Sequence, residues 1–134
     1  KNNLYKNNII KPNKKPLSSM SPTIIFDENN KIKMVIGSPG GKSIIMYVIK
    51  TIIAVLDWEL SIQEAVNFQN FSLNNNLVLL EKNKSNKELE KYLLKLGHSI
   101  EKKELNSGLN GFEIKNYKIL GVADKRRQGL FLMN

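Results

Sequence analysis

The pattern of apolar and polar positions changes along the chain, and each change marks an element. Residues 23–26 are a β-branched and aromatic run, Thr-Ile-Ile-Phe. Residues 31–36 alternate polar and apolar, the period of a half-buried strand. Asp27-Glu28-Asn29-Asn30 between them is a turn cluster, so the two runs predict a β-hairpin. Gly37-Ser38-Pro39-Gly40-Gly41 cannot continue the second strand, because proline and glycines interrupt it. Residues 42–56 are then apolar at nearly every position except Ser43, Lys50 and Thr51. That predicts a helix buried on almost all faces.

Downstream, Ser61 and Glu64 form a capping box that starts a short helix carrying Ile62, Ala65 and Val66, ending near Phe68. Residues 69–76, with three consecutive asparagines, read as a loop, and 77–80 as a short apolar strand. Ser85 and Glu88 make a second capping box. Leu89, Tyr92, Leu93 and Leu96 follow at helical spacing and are expected in the core, with Gly97 as the C-terminal cap. Residues 99–105 alternate as a strand does, and 106–111 read as a loop. Residues 112–114 and 117–122 predict a hairpin around Lys115-Asn116, followed by a charged turn at 124–127 in which Asp124 pairs with an arginine. Residues 129–133 read as a final apolar strand, and 1–15, rich in Lys and Asn, as irregular. Strands and helices fall in separate runs, which predicts an α+β fold in layers.

The candidate chemistry sits at the glycine turn. A helix starting at Gly40-Gly41 has free N–H groups that favour negative charge, and glycine admits a ligand close to the backbone. A backbone anion site and a plain strand-to-helix turn both fit this pattern. Gly41-Lys42-Ser43 also ends like a phosphate-binding P-loop, G-x-x-x-x-G-K-[ST]. That motif needs glycine five positions before Gly41, where Ile36 stands; Gly37 is one residue too close. The loop would be too short to wrap a phosphate, which disfavours a nucleotide-binding protein.

At 134 residues the chain is one domain or part of one. It has no cysteine, hence no disulfide or thiolate metal site, and one histidine, His98, read as a surface residue. The formal charge of +9 raises a nucleic-acid-binding module as an alternative. The lysines are scattered, though, with only two arginines and no interleaved aromatics, and the charge is attributed to a Lys-, Asn- and Ile-rich composition. The apolar helix is too short to span a bilayer. No signal peptide is visible and the first residue is Lys, so the chain reads as truncated at its start.

Two motifs carry a resemblance. Pro16-Leu17-Ser18-Ser19-Met20-Ser21-Pro22-Thr23, followed by Gly37-Ser38-Pro39-Gly40-Gly41 before a long helix, is similar to the small subunit of the γ-glutamyltransferases. Leu56-Asp57-Trp58, Glu64-Ala65-Val66-Asn67 and Ala123-Asp124-Lys125-Arg126-Arg127-Gln128-Gly129 resemble later segments of that family more loosely. Gln69-Asn70 stands where the family usually has Pro-Arg.

The resemblance implies a layered αββα sandwich of the N-terminal-nucleophile hydrolase type, of which residues 1–134 would be a single partial domain, the C-terminal part of the small subunit. It implies a precursor that cleaves itself, and a new N-terminal threonine that takes the γ-glutamyl group from glutathione or other γ-glutamyl compounds. Water or an amino acid accepts it, and no metal or organic cofactor takes part. By motif position, Ser18 and Ser19 would hold the α-carboxylate, and Gly40 and Gly41 would supply the oxyanion hole. The threonine, and the N-x-x-D-F stretch that holds the substrate amino group, lie upstream in the family; Thr23 and Thr51 stand in the wrong context. The large subunit would be the protein partner, and the family places such enzymes in the periplasm or outside the cell. By this reading the chain is inactive alone.

Overall fold

The structure, a computed structural model, describes residues 9–84 and 86–132. Among these residues, two sheets and three α-helices make an α+β fold. Strand β1 (Thr23–Phe26) and strand β2 (Ile32–Gly37) form the expected antiparallel hairpin, with Thr23 opposite Ile36. Asp27 closes it, its Oδ1 accepting from the N–H groups of Asn29 and Lys31. Along β2 the alternation holds at Met34 and Ile36, which are buried, while Ile32 at the start of the strand is 40% exposed.

A helical turn at Gly41–Ser43 leads into helix α1 (Ile44–Leu56). Burial on almost all faces is not met. Ile44, Tyr47, Val48, Thr51, Ala54 and Val55 are buried, but Ile45, Ile49 and Ile53 remain 44%, 43% and 37% exposed. Those three lie four residues apart, so they form one stripe turned away from the core. Helix α2 (Ile62–Asn67) starts at the capping box: Ser61 Oγ accepts from Glu64 N–H, and the Glu64 carboxylate accepts from Ser61 N–H. Its Ile62, Ala65 and Val66 join the inner face of α1, Met34, Ile36 and Val122 in one core.

The segment expected as a loop over 69–76 contains strand β3 (Phe71–Asn74), which pairs antiparallel with β4 (Leu77–Glu81). Asn75, at φ 55°, makes the tight turn between them. Helix α3 (Lys87–Lys95) then returns the chain so that β5 (Ser99–Lys103) lies parallel to β4. Ser85 of the second capping box lies outside the described residues; Asn86 is the cap, its Oδ1 accepting from Glu88 and Leu89 N–H. The stripe on α3 is not core. None of its residues is buried, and Tyr92 and Leu96 are 60% and 56% exposed, because α3 packs beside β5 at the edge of the three-stranded sheet. Gly97 at φ 85° ends the helix as expected.

Strands β6 (Asn110–Lys115) and β7 (Lys118–Ala123) form the second hairpin and complete the larger sheet in the order β1-β2-β6-β7. Its turn is Asn116-Tyr117, one residue later than expected, both at positive φ. Residues 129–132 form no strand, and Phe131 instead packs over Gly121. Met133 and residues 1–8 lie outside the described residues; 9–15 are irregular.

Candidate functional site

The hairpin fixes where the two motifs meet. It begins at Thr23, immediately after the Ser-Ser segment, and ends at Gly37, where the glycine turn starts. Because Thr23 lies opposite Ile36, both flanking segments leave the same end of the sheet. They touch: Ser19 Oγ donates to the carbonyl of Gly41 at 2.6 Å. Ser18 is exposed, and its Oγ accepts from Met20 N–H at 3.2 Å. Ser21 and Thr23 hydroxyls each donate two residues back along the chain, to the carbonyls of Ser19 and Ser21.

At the turn, Gly40 has φ 147°, which only glycine adopts readily, and Gly41 has φ 58°, in the left-handed region that glycine favours. Among the described residues, neither the Gly40 nor the Gly41 N–H has an acceptor, while the Gly40 carbonyl receives Ser43 N–H at 3.2 Å. The turn is fastened on its other side as well. Ser38 Oγ accepts from Gly108 N–H at 3.2 Å. Ser43, the hydroxyl of the P-loop-like run, is paired with Ser72 at 2.8 Å. Burial raises the Tyr47 phenol above its usual range more than its hydrogen bond with Ser43 lowers it, so it is neutral.

A cleft of about 500 Å³ opens between this turn and the strand-to-loop segment 103–106. Gly40, Gly41 and Ser43 form one wall; Tyr47, Leu79 and Leu105 line it deeper; Lys103, Glu104, Asn106 and Arg127 surround the rest. Ser18 and Ser19 do not line this cleft, although Ser19 is bonded to its wall. The sequence reading missed Tyr47, Lys103, Glu104 and Arg127. They are far apart in the chain and share no motif; Arg127 alone lies in a segment that the resemblance touches.

Behind the cleft runs a buried polar network. Asn70 Nδ2 donates to Leu105 O at 2.9 Å and to Ser107 Oγ at 2.8 Å, and Ser107 Oγ donates to Asp124. Arg126 binds Asp124 at 3.2 Å and Glu81 at 2.6 and 2.9 Å, so the expected structural pair is present and shared with a second carboxylate. Burial works to raise the Glu81 carboxyl, but the Arg126 and Asn70 hydrogen bonds outweigh it and hold it below the ordinary range. Lys50, 2% exposed, donates to Phe68 O at 3.2 Å and Asn70 Oδ1 at 3.1 Å. Burial, then the nearby Arg126 charge, lowers its ammonium to about 7. The network bears on the cleft through Asn70, which grips its wall at Leu105.

Chemically, the turn offers two free N–H donors beside a cleft with charged edges. Among the described residues no group of three or more acidic or histidine side chains is arranged to hold a metal, and no helix is long and apolar enough to cross a membrane.

The gamma-glutamyltranspeptidase family model matches residues 2–133. The Bacillus subtilis glutathione hydrolase proenzyme is 31% identical over 125 residues, covering 91% of this chain and 21% of its own length. The Escherichia coli glutathione hydrolase proenzyme is 45% identical over 64 residues, 48% of this chain and 11% of its own length. The crystal structure of the T380A mutant of Helicobacter pylori gamma-glutamyltranspeptidase superposes with a TM-score of 0.80 at 36% identity, over 87% of this chain and 66% of that one. An acivicin-inhibited gamma-glutamyltranspeptidase superposes at 0.82 and 34%, over 89% and 66%. The chain thus spans a small part of its curated relatives. The match along nearly all of its own length shows that it belongs to the gamma-glutamyltranspeptidase family.

Proposed function

We propose that this chain supplies the oxyanion hole and carboxylate-binding serines of an enzyme that cleaves glutathione and passes the γ-glutamyl group to water or an amino acid. The observation that carries the reading is the pair of unsatisfied N–H groups at Gly40 and Gly41, with Ser19 bonded to the same turn. When a nucleophilic oxygen attacks the γ-carbonyl, a C–O bond forms and the carbonyl electron pair moves onto its oxygen. Preorganised N–H donors stabilise that charge as it develops. Collapse breaks the C–N bond, and the amine leaves with the proton given up by the nucleophile. Water or an acceptor amine then attacks the ester and releases the nucleophile, which regains its proton.

In this reading the nucleophile is a threonine other than Thr23 and Thr51. Thr51 is buried and donates to Tyr47 O at 2.9 Å; Thr23 donates to Ser21 O. The large subunit of the same precursor contributes the remaining carboxylate contact, and the 134 residues by themselves form no acyl-enzyme. No cofactor enters the cycle. Ser18 and Ser19 reach the α-carboxylate by turning their hydroxyls from the backbone partners they now have.

A chimera tests the reading. This chain replaces the matching segment of the Bacillus subtilis proenzyme, and release of nitroaniline from γ-glutamyl-p-nitroanilide is followed. Turnover is expected. A folded, self-cleaved chimera without turnover contradicts the reading.

A further inference from the structure

We propose that Ser38 and Gly108 are positioning residues for the glycine turn, the Ser38 hydroxyl and the bare Cα of Gly108 together fixing the direction in which the Gly40 amide points. This rests on the reading of that amide as an oxyanion donor, and it names what aims it.

The ladder between β2 and β6 ends where Gly37 pairs with Asn110. Two residues further along each strand, Pro39 and Gly108 lie side by side. Proline has no N–H with which to continue the ladder. The Ser38 side chain bridges the two instead: its Oγ accepts from Gly108 N–H at 3.2 Å and donates to Pro39 O at 2.7 Å. The second bond bears directly on the turn. Pro39 C=O and Gly40 N–H are opposite ends of one planar peptide unit. Tying the carbonyl on one side aims the amide to the other. The same holds one residue on, where Ser43 N–H ties the Gly40 carbonyl and leaves the Gly41 amide free. That second tie is made by the backbone, whereas the first depends on a side chain.

Gly108 gives the clasp its seat. A Cβ built there lies 2.7 Å from Pro39 Cγ and 2.9 Å from Arg127 Cδ, and the proline ring cannot turn aside. Its backbone is not left-handed, so space alone calls for glycine. The segment around it is anchored in the buried network. Asn70 holds Leu105 O and Ser107 Oγ, Ser107 donates to Asp124, and Asp124 N–H donates to Leu109 O at 2.8 Å. Ser107 and Leu109, on either side of Gly108, are both fully buried. A rigid interior thus carries a turn that lies at the surface.

The test uses the chimera and the chain alone. In the chimera, with self-cleavage complete, Ser38→Ala and Gly108→Ala should each lower kcat for γ-glutamyl-p-nitroanilide about tenfold with KM little changed, because a misaimed donor fails as charge develops. Ser38→Thr keeps the hydroxyl and should restore kcat. In the ¹⁵N-labelled chain, which needs no turnover, the Gly108 amide should exchange with solvent about fivefold faster in Ser38→Ala, and at the unaltered rate in Ser38→Thr. Unchanged exchange in Ser38→Ala, or a threonine variant that turns over as slowly as the alanine variant, overturns the clasp. So does a Ser38→Ala enzyme that keeps its kcat where Gly41→Pro loses it, and the oxyanion-hole reading then stands. If Gly41→Pro keeps its kcat as well, that reading falls with the clasp.

Discussion

Tyr47 occupies the space that a side chain on residue 40 would need: a Cβ built on Gly40 lies 2.6 Å from Tyr47 Cε2 and 3.0 Å from Cδ2. The ring thus backs the turn that presents the two free amides. Gly41 differs, with nothing within 4 Å of its Cβ position, so only its φ of 58° resists substitution. Gly40→Ala should therefore lose about 2–4 kcal/mol from strain and overlap together, and Gly41→Ala about 1 kcal/mol. Urea unfolding of both variants checks the order. A Gly40→Ala loss no larger than that of Gly41→Ala contradicts the contact.

Arg126 is the hub of the buried network. Besides two carboxylates it donates to Val66 O and Phe68 O, both at 2.9 Å. Arg126→Ala leaves Glu81 and Asp124 buried without their cation, which costs about 3–5 kcal/mol. Arg126→Lys should recover little, because a point charge cannot span partners on several sides. Denaturant midpoints of the two variants measure this; full rescue by lysine would show that charge alone matters.

Lys50 makes stability depend on pH. Its amine titrates near 7 in the fold and at 10.5 when unfolded, so between those values the unfolded chain binds the extra proton. Stability should rise with pH through that window, at up to about 1.4 kcal/mol per pH unit, and level off below 7. Lys50→Met should flatten the rise between pH 7 and 9, below the range in which the Tyr47 phenol ionises. Thermal melts across that range test it. An equal slope in the variant places its origin elsewhere.

Glu113 stands on β6 opposite Met34 and Leu120, 5% exposed, and its Oε2 has no hydrogen-bond partner among the described residues. A polar atom buried unsatisfied costs stability. Glu113→Met should raise the unfolding free energy by about 1 kcal/mol, read from the same urea curves. A loss would show that the carboxylate has a role the fold needs.

The local elements were legible where local chemistry dictates them. The Thr23–Phe26 and Ile32–Gly37 hairpin, the Ser61 cap and the Gly97 stop each follow from neighbours in sequence. The Ser-Ser and glycine motifs could be placed at one sheet end because the hairpin joins them. What escaped depends on distance. β3 was hidden because Asn74-Asn75-Asn76 reads as loop, although one residue at positive φ suffices to turn the strand back on β4. The stripe on α3 has helical spacing, but periodicity does not say how much of a partner surface exists. The same applies to Ile45, Ile49 and Ile53 on α1. Nothing near Lys50 in the sequence foretells its acceptors, which arrive from Phe68 and Asn70. The rim of the cleft gathers Lys103, Glu104 and Arg127 only after β5 and β7 have been placed.

The central claim is that the Gly40 and Gly41 amides act on developing negative charge, and steady-state kinetics of the chimera address it most directly. Gly41→Pro removes one N–H and cannot adopt φ 58°, so the donor pair is displaced. With folding and self-cleavage verified, kcat for γ-glutamyl-p-nitroanilide should fall about 10²–10³-fold with KM little changed. Ser18→Ala or Ser19→Ala should instead raise chiefly KM, since a carboxylate contact is made in ground and transition states alike. A Gly41→Pro enzyme that folds, cleaves itself and keeps its kcat would contradict the account.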